Sequence, residues 1–185
     1  MPDTPLTPDT AIDLDALVAA QLAAIGAGGF GVTAQAYDPD RREFALPACM
    51  VRVADFERDS AGDIGTEQLA MLARFEAHIV VGFREPEAYL AAPRLALAIA
   101  HLIEGNRFGQ PVSPAQVSVV EPDEFAPDLD RFVVWRVDFA QVIHVGASIW
   151  RNDGTLPQRV VSSWSPEIGT DYADDYDTVL GDPGE

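Results

Sequence analysis

The chain has 185 residues, of which 30 are acidic and 12 basic, for a formal net charge of −18. That length fits one domain with extensions, and an apolar content of 48% is ordinary for a globular chain. So acidic a balance repels nucleic-acid phosphate and excludes a tight DNA or RNA grip, while keeping free subunits dispersed.

Cys49 is the single cysteine, so an intrachain disulfide and a cysteine metal cluster are both excluded. Its setting, Ala48-Cys49-Met50-Val51, reads as a buried and inert thiol, compatible with a reducing compartment. The start, Met1-Pro2-Asp3-Thr4-Pro5, lacks the basic and apolar regions of a signal peptide. No apolar run reaches the ~18 residues of a membrane span, so a soluble protein is expected.

Residues 1–9, rich in Pro, Asp and Thr, read as an extended N-terminal arm. A helix is expected from about Ala11 to Ile25, capped by Asp9 or Thr10. Ile12, Leu14, Leu17, Val18, Leu22 and Ile25 form its apolar stripe. Gly26, Gly28 and Gly29 stop it. Strands follow at Val32–Tyr37 and Ala48–Phe56, with a turn at Asp38-Pro39-Asp40 between them. After a polar loop from about Asp59 to Thr66, a third strand alternates strictly. Phe75, Ala77, Ile79, Val81 and Phe83 fall on one face, and Arg74, Glu76 and His78 on the other.

A second helix lies within Glu87–Glu104, its regular part expected from Ala92 because of Pro93, with Leu95, Ile99 and Leu102 inward. Gly105-Asn106 closes it. A short strand at Val117–Val120 and a long one at Arg131–Val145 complete the domain. The long strand carries Val133, Trp135, Val137, Phe139, Ile143 and Val145 on one face. The expected fold is α+β: two helices packed on one face of a mostly antiparallel sheet. Residues 10–145 form that domain and 146–185 an extended acidic C-terminal arm.

The C-terminal segment has apolar spots with no partner element of its own: Ile149, Trp150, Val161 and Trp164. Asp171, Asp174, Asp175 and Asp177 follow. Such a composition does not build a core alone. These eight residues are the candidate interface, the tryptophans because Trp is frequent at binding hot spots. The bland alternative is that Val160–Trp164 adds an edge strand to the main sheet.

Catalytic, cofactor and metal sites are not expected. Gly26-Ala-Gly-Gly-Phe-Gly31 follows a helix and precedes a strand, the reverse of a phosphate-cradling loop, and reads as a helix stop. His78, His101 and His144 have no second His or Cys at ligand spacing. The chain has no Gly-x-Ser-x-Gly elbow. The aspartates of the tail lack the alternation and closing Glu of an EF-hand calcium loop. Trp135 is expected to fill the core.

Four stretches carry a family resemblance. They are Asp13-Leu-Asp-Ala-Leu-Val-Ala-Ala-Gln-Leu in the opening helix; Pro47-Ala-Cys-Met-Val with the acidic loop after it; Ala77-His-Ile-Val-Val-Gly-Phe through Leu95-Ala-Leu-Ala-Ile; and Ser165-Pro-Glu-Ile-Gly-Thr-Asp-Tyr-Ala-Asp-Asp-Tyr. In these and in element order the chain resembles the tail terminator, or tail completion, proteins of long-tailed phages and tail-like particles. The resemblance implies a hexameric ring at the head-proximal end of the tail tube. That ring stops tube growth, meets the head's connector or stopper protein, and lets DNA pass through its hole. It places the protein in the virion tail or neck after assembly in the host cytoplasm, with no catalytic residues to carry over. Alternatives are another neck or head-tail adaptor protein, a tail tube protein, or a non-viral regulatory domain binding a small molecule at the helix–sheet seam.

The charge balance makes one prediction independent of fold. The isolated protein should not retain duplex DNA at physiological salt in a filter-binding or gel-shift assay, and lowering the salt should not rescue binding, because like-charge repulsion grows as screening falls.

Overall fold

A computed structural model of the chain describes residues 12–38, 45–62, 65–123, 132–149 and 159–180. The arm at 1–9, the turn residues Pro39 and Asp40, Arg131 and Trp150 lie outside these.

Strict alternation decides the centre of the sheet. Strands β3 (Leu69–Gly82) and β5 (Phe132–Val145) pair antiparallel along their whole lengths, from Leu69 opposite Val145 to Gly82 opposite Phe132. Period-two geometry sends Phe75, Ala77, Ile79 and Val81 to one face with Val133, Val137, Phe139 and Ile143, all buried. Phe75 and Phe139 lie opposite each other in register and stack at a centroid distance of 5.2 Å. Trp135 shares this face and packs against the core while only partly buried. Phe83 lies beyond the end of β3 and is 55% exposed, and Val145, on the last residue of β5, is 40% exposed. Both leave the expected core face because the ladder ends before or at them.

The remaining strands are β1 (Thr33–Ala36), β2 (Ala48–Arg58) and β4 (Gln116–Pro122), in the spatial order β1-β2-β3-β5-β4. β1 runs parallel to β2, and every other neighbour in the sheet is antiparallel. β2 slips register between Val53 and Asp55, and past that point its residues are exposed, Phe56 included.

Two helices cover the apolar face. The first, α1 (Leu14–Ala27), starts three residues later than the apolar stripe suggested. Its cap is Asp13, whose side chain accepts from the Ala16 N–H at 3.1 Å. Leu17 and Ile25 are buried against the sheet, and Ile12, Leu14, Val18 and Leu22 flank them. Gly28 takes the C-cap, and Gly29 turns the chain at φ +74°, a conformation glycine adopts without steric cost.

The second, α2 (Ala88–Ile103), begins four residues before the expected point and holds Pro93 inside its second turn. Ala88 and Ala92 are buried in that segment, so packing against the sheet outweighs the one backbone bond that Pro93 cannot make. The inward stripe is Ala88, Ala92, Ala96, Ile99, Ala100 and Ile103, while Leu95 and Leu102 lie only partly buried at its edges. Alanines let the helix lie close to the sheet, which leaves no room for leucines on the central line.

One polar pair sits in the core. Gln21 of α1 and Gln141 of β5 are both fully buried, and Gln21 Nε2 donates to Gln141 Oε1 at 3.0 Å. Gln141 Nε2 in turn donates to the carbonyls of Ser113 (2.9 Å) and Asn106 (3.3 Å). This chain of bonds ties α1, β5 and the 105–115 segment after α2 to one another.

Contacts divide the chain into two units, the first ending at Ile149. Residues 146–149 belong to the first: Gln68 donates to the Gly146 carbonyl at 2.7 Å, and the Ile149 N–H donates to Thr66 at 3.1 Å. The second unit contains a two-stranded antiparallel sheet of β6 (Val160–Ser162) and β7 (Asp177–Leu180), with a short 3-10 helix at Thr170–Asp175 between them.

Replacing Gln141 by Leu removes the Gln141 bonds to the Ser113 carbonyl and the Gln21 amide, while the Asn106 carbonyl keeps its bond from the Ala115 N–H, and should cost about 2–4 kcal/mol. Gln21→Leu orphans fewer groups and should cost less. Urea midpoints of the two variants against the parent chain check the order.

Candidate protein interface

The face of the sheet away from the helices carries a charged patch beside a small apolar cluster of Ala48, Met50, Val80 and Val134. Arginines and carboxylates of β2, β3, β5 and β4 pair across and along the strands, although Glu76 and Asp138 stand directly opposite each other. Arg52 contacts Glu76 at 2.6 Å, Arg136 contacts Asp138 at 2.8 Å and Glu121 at 2.5 Å, and Arg74 pairs with Asp55 and Glu57. Burial lowers the proton affinity of the Arg136 guanidinium, but Asp138, Glu76 and Glu121 together carry it above its ordinary value. Burial raises the Asp138 carboxyl above the usual carboxylate range despite Arg136 beside it, with Glu76 and Glu121 adding to the rise.

His78 sits in the same patch and is nearly buried. Its Nδ1 faces Asp123 Oδ2 at 2.9 Å and its Nε2 faces Glu76 Oε2 at 3.2 Å. Both ring nitrogens are therefore occupied by carboxylates, leaving neither for a nucleophile or a metal. Tyr37 packs on the ring at 5.5 Å, and Arg52 lies 5.5 Å from the Tyr37 ring. His144, eight ladder positions along β5 from the partner of His78, bonds the Gly62 carbonyl at 2.8 Å. At ~3.4 Å per residue the two rings stand roughly 27 Å apart along the ladder. His101 is exposed on α2. The fold does not bring the three histidines together. Among the described residues no group of three His, Cys, Asp or Glu side chains is placed to hold a metal. Cys49 is fully buried, and burial pushes its thiol up to about 12, which keeps it an un-ionised core residue.

Of the candidate interface residues, Ile149 closes the first unit and is 48% exposed. Trp150 lies outside the described residues. Val161 sits in β6 and pairs with Thr178 of β7, so the Val160–Ser162 segment does have a partner element, inside the tail. It adds no strand to the main sheet, because β7 supplies the matching backbone groups. Trp164 follows in a turn closed by the Glu167 N–H donating to its carbonyl, and is 86% exposed. Asp171, Asp174 and Asp175 lie in the 3-10 helix and Asp177 opens β7, all exposed. Tyr176 anchors the loop by accepting from the Gly169 N–H at 2.6 Å.

Two surfaces of the first unit escaped the sequence reading. One is the outer face of α2 and the residues before it: Tyr89, Leu90 and Leu97 are exposed, and Phe83 meets Tyr89 edge to face at 6.0 Å. The signal was in the sequence, since Leu97 falls opposite the inward stripe, but helical spacing alone does not say which apolar line faces in. The other is a groove of about 470 Å³ beside α2, lined by Phe30, Pro47, Val81, Ala91, Leu95 and Ala98, with Glu85 and Arg94 at its edge. Comparison of the chain with protein-family models and with curated proteins finds no match. No helix is long and apolar enough to cross a membrane among the described residues.

The main sheet draws all its strands from residues up to Val145. A chain ending after Ile149 should therefore keep its far-ultraviolet circular dichroism per sheet and helix residue and its main urea transition. Ending after Val145 removes the Gly146 carbonyl and the Ile149 N–H, and should cost about 1–2 kcal/mol more. An unfolded 1–149 product would count against an independent first unit.

Proposed function

We propose that the chain is an assembly protein of the tail-terminator kind, forming a closed homo-oligomeric ring at the head-proximal end of a tail tube. In this role the ring stops tube growth and joins the tail to the head's connector or stopper protein, with DNA passing through its hole. The protein works through surfaces and not through catalysis.

The observation that carries the reading is the second unit. It has regular secondary structure, yet none of its described residues is buried, and it exposes Trp164, Ile168, Tyr172 and Val179 among its aspartates. A two-stranded hairpin without a core is marginal alone in water. A surface of that kind is stable when a partner covers it. The resemblance in element order supplies the kind of partner, and the negative charge suits a lumen through which DNA slides without sticking.

A second reading is favoured by the groove beside α2. Its volume and apolar lining fit a small apolar ligand at the helix–sheet seam, as in a regulatory domain. The oligomeric state separates the two. Negative-stain electron microscopy and mass photometry of the purified chain, alone and with tail tubes, should give a ring of uniform size, six copies being expected. Monomer under both conditions, together with saturable uptake of an apolar dye, would replace the assembly reading with the ligand-binding one.

A further inference from the structure

We propose that Glu76, His78 and Asp123 form a proton-operated latch on the outer face of the sheet, closed while both ring nitrogens carry protons and weakened when Nε2 loses its own. The latch lies within the first unit and is independent of the assembly reading.

The ladder builds it. Glu76 and His78 are two positions apart on β3, so the pleat sends both side chains to the outer face. Asp123 follows the end of β4, and its N–H donates to the Val134 carbonyl of β5 at 3.0 Å. Its carboxylate meets the His78 ring from there. β5 lies between β3 and β4, so this bond ties a central strand to the end of an edge strand. The side chains of His78, Glu76 and Asp123 are only 10%, 15% and 9% exposed, too little for water to replace a lost partner cheaply.

Proton counting defines the closed state. A carboxylate only accepts, and a neutral imidazole donates from one nitrogen alone. Yet Nδ1 faces Asp123 Oδ2 at 2.9 Å and Nε2 faces Glu76 Oε2 at 3.2 Å. Both contacts are hydrogen bonds only when the three groups hold two protons between them. With one proton, a nitrogen lone pair is pressed against a carboxylate oxygen. Among the described residues, charged neighbours come from every strand around the ring. β4 brings Glu121, and β5 brings Asp138 and Arg136, the register partner of His78. β2 brings Arg52, which contacts Glu76 at 2.6 Å, and Tyr37, just past β1, packs on the ring. Four carboxylates there face two guanidinium groups, an excess of negative charge that an imidazolium offsets.

The two nitrogens are not equivalent. Glu76 has Arg52 to hold it, and its contact with the ring is the longer of the two. Nε2 is therefore the nitrogen that gives up its proton, while Nδ1–H stays on Asp123. Wherever the unfolded chain leaves the imidazole neutral, folding takes up one proton to close the latch. The stability it contributes is present at the acidic end of the histidine range and is lost as pH rises.

The test follows urea unfolding of the full chain, at one protein concentration, between about pH 5 and pH 8, the range in which histidine changes charge. The parent is compared with His78→Gln, which has no titrating ring, and with Glu76→Gln, whose amide donates to a bare Nε2 and needs no second proton. The parent's unfolding constant should rise with pH more steeply than that of either variant, by up to ~10-fold per pH unit, the slope of one linked proton. Parallel profiles overturn the latch. Nitrogen-15 spectra of the parent's imidazoles decide the case even where a variant fails to fold. They should show His78 with both N–H groups at the acidic end and with Nδ1–H alone at the alkaline end. A ring that does not change across the range, or one that keeps Nε2–H and bares Nδ1, overturns the proposal.

Discussion

The β3–β5 ladder is the constraint on which the rest of the first unit depends. Its strands pair without a slip over their whole lengths, so every side chain's face follows from its position in sequence. One face becomes a continuous apolar floor centred on the Phe75–Phe139 stack, and both helices settle on it. The opposite face becomes a patch of guanidinium and carboxylate groups beside a small apolar cluster around Met50, Val80 and Val134. A one-residue slip would exchange the two, placing Glu76 and Arg136 under the helices. Burying such charges without their cross-strand partners is far costlier than any gain in packing. The charged face therefore fixes the register by exclusion as firmly as the apolar face does by attraction.

Gln21 and Gln141 act on the same problem from inside. A core of alanine, valine and isoleucine tolerates small shifts of a helix along a sheet. A buried amide with one set of partners does not, since a shift would leave several groups unpaired. The Gln21–Gln141 bond, extended to the Ser113 and Asn106 carbonyls, holds α1 and the segment after α2 to fixed positions on β5. The position of α2 is further set by its alanine line, which permits close approach and leaves Leu95 and its neighbours to form the wall of a groove.

The second unit obeys different rules. Its strands are three and four residues long, and its loop is closed by local bonds such as Tyr176 to Gly169 and Ser163 to Glu167. Local bonds give it shape but no core. Its large apolar groups, Trp164 and Ile168 among them, stand in solvent beside like charges.

The sequence by itself determined the element order, the α+β class and the inward face of both long strands, because strict alternation over many residues has only one packed solution. It also marked the apolar residues of the tail, and its histidine, cysteine and glycine spacings match no local ligand or phosphate-loop motif, since those motifs need fixed spacings that can be read directly. Tertiary structure decided what spacing cannot encode. Position 141 lies on the core face by period, yet a glutamine there is intelligible only once Gln21 is seen opposite it. Leu95 and Leu97 are alike in composition, but the closeness of α2 to the sheet sets one in a groove wall and the other in water. Val160–Ser162 found its partner in Asp177–Leu180, a pairing of two short, weakly patterned segments. Such pairing is settled by which backbone groups can reach each other in space, and side-chain pattern along the chain does not carry that information.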